Sequence, residues 1–149
     1  ALKALASYRR EEDKSILLDA LSHYDNENED VDMKDDETNN ALLAVTVWAC
    51  QDFVPLLMGI RDYEIKKHDS SMPPRSKYLF EAVMAYNNQW AYNFIDATLA
   101  LSSKKKEREY SSYITMATSF HSAMLSHYNP RFANLLRKYP GEDFGDGYE

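Results

Sequence analysis

Apolar residues recur at spacings of three and four along four long stretches of the chain, and charged or proline-bearing stretches separate them. From Leu2 the pattern passes Leu5 and Tyr8, crosses the charged segment 9–14, and resumes at Ile16, Leu17, Leu18, Ala20, Leu21 and Tyr24. Such spacing predicts a helix with one buried face over 2–24, with its first part either joined to it or forming a turn of its own. Residues 40–66 are apolar on nearly every side and predict one central helix. Thr38, Asn39 and Asn40 are candidates for its N-cap, and Pro55 is expected to kink or break it.

Pro73 and Pro74 suit a helix start. From there to Ser102 the residues Tyr78, Leu79, Ala82, Val83, Tyr86, Trp90, Phe94, Ile95, Thr98 and Leu101 keep the helical period with no breaker between them. A further stripe over 105–128 carries Tyr110, Tyr113, Ile114, Ala117, Phe120, Met124 and Tyr128, and Asn129-Pro130 ends it. A short helix follows over 130–139 and stops at Pro140-Gly141. The prediction is an all-α fold: a single-domain helical bundle of four long helices plus a short C-terminal helix in residues 1–140, with a disordered acidic tail at 141–149. No internal repeat is evident. In an up-down-up-down bundle the connections near 25–37 and 104–108 share one end, and the 67–74 loop lies at the other.

Length agrees with this reading, because 149 residues suit one domain that needs no disulfide or metal to fold. With four glycines and five prolines there is little turn material for an all-β fold. No apolar stretch is long enough for a transmembrane helix. A single cysteine, Cys50, excludes an internal disulfide and fits an intracellular protein of the cytoplasm or nucleus.

Charge changes the picture more. The chain carries 17 basic and 24 acidic residues, a net charge of −7. The segment 25–37 holds Asp25, Glu27, Glu29, Asp30, Asp32, Asp35, Asp36 and Glu37 against Lys34 alone, so it accounts for the entire excess. The remainder is balanced and has no global attraction for nucleic acid. Counted from Asn26, the oxygens of Asn26, Asn28, Asp30 and Glu37 resemble the spacing of a calcium loop. Asn in the first position, Val31 where the turn needs glycine, and Lys34 among the ligand positions argue against it. A solvated acidic loop, expected to be disordered, is the plainer reading, with a contact to a basic partner through Asp30, Asp32, Asp35 and Asp36 as its functional counterpart.

The remaining chemistry fails as catalysis. Cys50 sits in an apolar run and reads as a small core residue rather than a nucleophile. None of His23, His68, His121 and His127 follows a glutamate by three residues, the Glu-x-x-His spacing of a dimetal bundle site, so such a site is not expected. Asp52 and Asp96, set among apolar residues, are expected to hydrogen-bond a tyrosine or tryptophan. With so few glycines there is no phosphate-cradling loop. No cofactor, no metal site and no enzymatic activity are expected.

Basic residues cluster at 66–77 and at Lys104, Lys105, Lys106 and Arg108, where cations oppose the dipole of the helix they open. Eleven tyrosines are many for this length, and Tyr86 and Trp90 share a helical face beside Asn87, Asn88 and Asn93. Tyrosine and tryptophan with amides favour protein interfaces, and wide bundle cores contain them too. Trp48 and Trp90 both lie on apolar stripes and are expected to be buried. The expectation is an intracellular helical module that binds another protein, with a homo-oligomer left open. Alternatives are a small acidic inhibitor or immunity-type protein acting through 25–37, and a nucleic-acid-associated helical domain using 66–77 and 104–108.

Overall fold

The computed structural model describes residues 2–25, 37–66, 74–103 and 110–140. These form eight α-helices and no strand: α1 (Leu2–Tyr8), α2 (Glu11–Ser22), α3 (Glu37–Val47), α4 (Val54–Lys66), α5 (Pro74–Met84), α6 (Gln89–Ser103), α7 (Tyr110–Ser126) and α8 (Ala133–Lys138). Helix content matches the expectation, but the four long helices do not. Each of the first three expected long helices breaks in the middle and folds into a pair, and α7 pairs with α8 in the same way.

Local chemistry explains each break. Arg9 takes a left-handed φ of 50°, and its amide closes α1 on the Ala6 carbonyl at 3.1 Å. Arg10 is then extended, and Glu11, Glu12 and Asp13 open α2, where carboxylates favour the positive end of the helix dipole. Helix α3 stops at Val47, and Cys50 is extended before a 3-10 turn over Gln51–Phe53. Pro55 therefore falls in the first turn of α4, where a missing N–H costs nothing. Asn87 takes a φ of 48°, which asparagine tolerates better than most residues. The Asn88 side chain then caps α6, accepting from the Ala91 amide at 2.9 Å. Asn129 is extended and its side chain accepts from the Arg131 amide at 3.0 Å, leading through Pro130 into α8. At the other boundaries, Pro74 starts α5 as expected, whereas Thr38 and Asn39 are buried in the first turn of α3 rather than capping it.

The pairs stack. Helices α1, α3, α5 and α7 pack on one another in sequence, and α2 packs on α4 behind them. Arg61 on α4 lies 5.0 Å from the Phe94 ring of α6, and Lys138 on α8 meets Asp96 of α6 at 2.9 Å, continuing the second layer. The buried positions of α3 (Thr38, Ala41, Leu42 and Val45) recur in α5 as Ser76, Leu79, Phe80 and Val83. They recur again in α7 as Met116, Ser119, Phe120 and Ala123. In the second layer Leu17, Leu57, Ile95 and Leu135 occupy matching places and are all fully buried. The chain thus has a structural period of about 40 residues, within the range of two-helix repeats. This recurrence, unseen in the residue pattern, lies in burial rather than in residue identity.

Arg75, at the start of α5, donates to the Tyr24 carbonyl at 2.6 Å, and Tyr24 packs edge-on against Tyr63 near the end of α4 at 5.8 Å. Asp25, at the end of the turn after α2, and Pro74, at the start of α5, therefore lie near one another, whereas an up-down bundle sets these two positions at opposite ends. Arg75 also faces the fully covered carboxylate of Glu64 at 3.4 Å.

Candidate interaction surface

All four corners lie along one edge of the stack, and contacts tie each to the next. Arg9 Nη2 donates to the Val47 carbonyl at 3.1 Å. Lys14 Nζ donates to Asp52 Oδ2 at 2.7 Å. Tyr86 Oη donates to the Cys50 carbonyl at 2.5 Å. Asn129 Nδ2 and Arg131 Nε both donate to Asn87 Oδ1, at 2.9 and 3.1 Å.

An aromatic residue stands at or just past the end of every first-layer helix: Tyr8, Trp48, Tyr86 and Tyr128. Tyr8 is 71% exposed and Tyr128 67%, with Leu125 one turn earlier at 77%, whereas Trp48 and Tyr86 are half-buried. Cations cover two of the rings. Arg10 lies 5.6 Å from the Tyr8 ring centre, and Lys14 lies 5.6 Å from that of Trp48. Trp48 meets Phe53 edge-on at 5.7 Å. Tyr86 meets Trp90 at 5.1 Å, and Trp90 in turn leans on Phe94 at 5.4 Å. Both tryptophans are largely buried and pack against the core, as their stripes imply, with one part of each left exposed beside a corner.

Electrostatics reinforce these ties. The hydrogen bond to Asp52, then that to Glu11, raises the Lys14 pKa well above its ordinary value, so Lys14 stays charged. Burial pushes the Tyr86 hydroxyl far above its ordinary range, with the nearby Asp52 adding to it, which keeps the group a donor.

Other expected residues fall elsewhere. Asp30, Asp32, Asp35 and Asp36, and Lys104, Lys105, Lys106 and Arg108, lie outside the described residues. Cys50 is half-buried and sits between helices rather than mid-helix. Asp52 is exposed and meets a lysine rather than an aromatic hydroxyl. Asp96 does accept from the Tyr139 hydroxyl, at 2.7 Å, and this bond, with Lys138, holds its pKa below the usual carboxylate value. In the 66–77 cluster Arg75 faces Glu64, and Lys77 lies 3.6 Å from Glu81, a second covered carboxylate that His127 also approaches at 3.5 Å.

Residue reading missed one cluster entirely. His23, in the turn after α2, places Nδ1 2.8 Å from Glu37 Oε2 at the start of α3. Its Nε2 lies 3.8 Å from Asp19 Oδ1, one turn back on α2. The Asp19-x-x-x-His23 spacing is visible in the sequence, but the arrival of Glu37 is not.

Fold and surface define an all-α protein of stacked helix pairs with a bonded, aromatic corner edge. No helix among the described residues is long and apolar enough to cross a membrane. No protein-family model, no curated protein and no solved structure matches the chain.

Proposed function

We propose that the chain is a protein-interaction module, binding rather than catalytic, whose contact surface is the corner edge. The observation that carries this is the aromatic residue at each of four aligned corners, with Arg9, Asn87 and Arg131 among them. Corners held to one another by hydrogen bonds present these rings at fixed spacing, so little ordering is lost on contact. Tyrosine, tryptophan and arginine are the residues that concentrate binding energy at protein interfaces. Stacked helix pairs give extended surfaces of this kind, an argument by architectural analogy. The cations at 66–77 support a nucleic-acid role less well, since Arg75 and Lys77 already face carboxylates.

Affinity capture with the wild-type chain from its native source, then titration of the captured protein, tests this reading. The Tyr8→Ala/Leu125→Ala/Tyr128→Ala variant is expected to bind at least tenfold more weakly while keeping its helical circular dichroism. Deleting 26–36 or neutralising Lys104, Lys105 and Lys106 should leave affinity within twofold. A partner lost on deleting 26–36 and indifferent to the aromatic changes would replace this reading with an acidic inhibitor. One lost only with the lysines would point to an anionic ligand.

A further inference from the structure

We infer that Asp19, His23 and Glu37 form a binding site for a divalent transition-metal ion of the Zn²⁺ class. The three side chains come from the end of α2, the turn that follows it, and the first residue of α3. Each offers one donor atom, and the three atoms lie within 4.8 Å of one another. Ligand bonds to such an ion are about 2.0–2.2 Å long for imidazole nitrogen and carboxylate oxygen. Adjacent ligands around one ion are then about 3.0–3.5 Å apart by simple geometry. The His23 Nδ1 to Glu37 Oε2 separation of 2.8 Å needs to widen by only a few tenths of an ångström. Asp19 now approaches the other ring nitrogen, Nε2, at 3.8 Å, and reaches an ion on Nδ1 by turning its side chain, which is 70% exposed.

Charge favours the same occupant. Two carboxylates around one imidazolium leave a net negative site, with Asp25 adding to it from the same turn. A divalent ion on a neutral imidazole balances Asp19 and Glu37 fully. Arg75, which reaches the turn carrying His23, is directed to the Tyr24 carbonyl and to Glu64 instead. Imidazole with carboxylates suits zinc, copper, nickel or iron, whereas calcium selects oxygen donors alone. The side chains are partly exposed, so water completes the coordination shell. The bound ion would join the end of α2 to the start of α3, bracing the first helix pair against the second.

Isothermal titration of the whole chain with ZnCl₂, and with CoCl₂ for the visible spectrum of the ion, tests the site. One equivalent is expected. His23→Ala and His23→Gln should each weaken it at least tenfold, and Glu37→Gln or Asp19→Asn by a similar factor. The Asp30→Asn/Asp32→Asn/Asp35→Asn/Asp36→Asn variant and His127→Ala should retain it within about threefold. Absence of binding at millimolar ion overturns the proposal. So does binding that survives both His23 variants, or that disappears when the four aspartates of the acidic segment are neutralised. Proton NMR of the four histidines gives a second readout: Co²⁺ should broaden the His23 ring signals first, and broadening of another histidine first would also overturn it.

Discussion

Arg75 carries more of this fold than its place at a helix start suggests. Its guanidinium spans the Tyr24 carbonyl after α2 and the Glu64 carboxylate on α4, joining three elements at one point. Glu64 has no solvent-exposed side-chain surface, so removing the cation leaves a carboxylate buried beside a neutral group. Breaking a buried pair in this way costs about 3–5 kcal/mol. Arg75→Met is therefore expected to lose about 3 kcal/mol of stability in urea unfolding. The Glu64→Gln/Arg75→Met double variant should recover part of that loss, since it removes the stranded charge. Equal losses in the two variants would show that Arg75 acts through packing alone. Asn87 works by a different route: its left-handed backbone makes the corner, and its side-chain oxygen receives both Asn129 and Arg131.

Between elements, α4 comes close to the turn after α2 at Gly59. A Cβ placed on Gly59 would meet the Tyr24 hydroxyl oxygen at 2.8 Å and its ring carbon Cζ at 3.2 Å. Glycine in a helix interior costs up to about 1 kcal/mol relative to alanine, so the contact offsets a propensity gain. Gly59→Ala is expected to be neutral or destabilising in the wild-type chain, and less unfavourable in a Tyr24→Phe background. Thermal unfolding of the four species closes this cycle, and a coupling indistinguishable from zero would mean the ring moves aside freely. The apolar stripes that place these helices were legible in the residue pattern, as was Pro74 at a helix start, whereas Tyr86 and Trp90 meet across a corner rather than along one helical face. Among the corners, Pro55 signalled the break in 40–66 and Asn129-Pro130 the end of the 105–128 stripe, but the other two carry no such signal. Arg9-Arg10 and Asn87-Asn88 contain neither glycine nor proline, and a stripe through them reads as one continuous helix. Contacts with the neighbouring pair add to the local turn chemistry there: the Val47 carbonyl receives Arg9, the Cys50 carbonyl receives Tyr86, and the Asn129 and Arg131 side chains converge on Asn87. The aromatic recurrence stayed hidden for a related reason, since the spacing drifts from pair to pair. Asp19 and His23 stand at helical spacing in the sequence, where nothing brings Glu37 to them.

At the scale of the whole molecule, stability is expected to be graded along the stack rather than uniform. Each pair touches chiefly its neighbours, so the inner pairs are buttressed on two sides. Helix α1 has one fully buried residue, Ala6, and α8 has one, Leu135. Amide hydrogen exchange should therefore be slowest in α3 and α5 and at least tenfold faster in α1 and α8. Equal protection throughout would indicate one cooperative core. The corner contacts also have a direction. Arg9 and Lys14 of the first pair donate to the second, Tyr86 of the third donates back to the second, and Asn129 and Arg131 of the fourth donate to the third. Along this corner edge the second pair receives and the first and fourth give, whereas away from it Arg75 of the third pair donates to the Tyr24 carbonyl of the first. Setting the first pair beside the fourth would bring giver against giver, so these four units are not interchangeable beads: their order is written into which side of each joint holds the hydrogen.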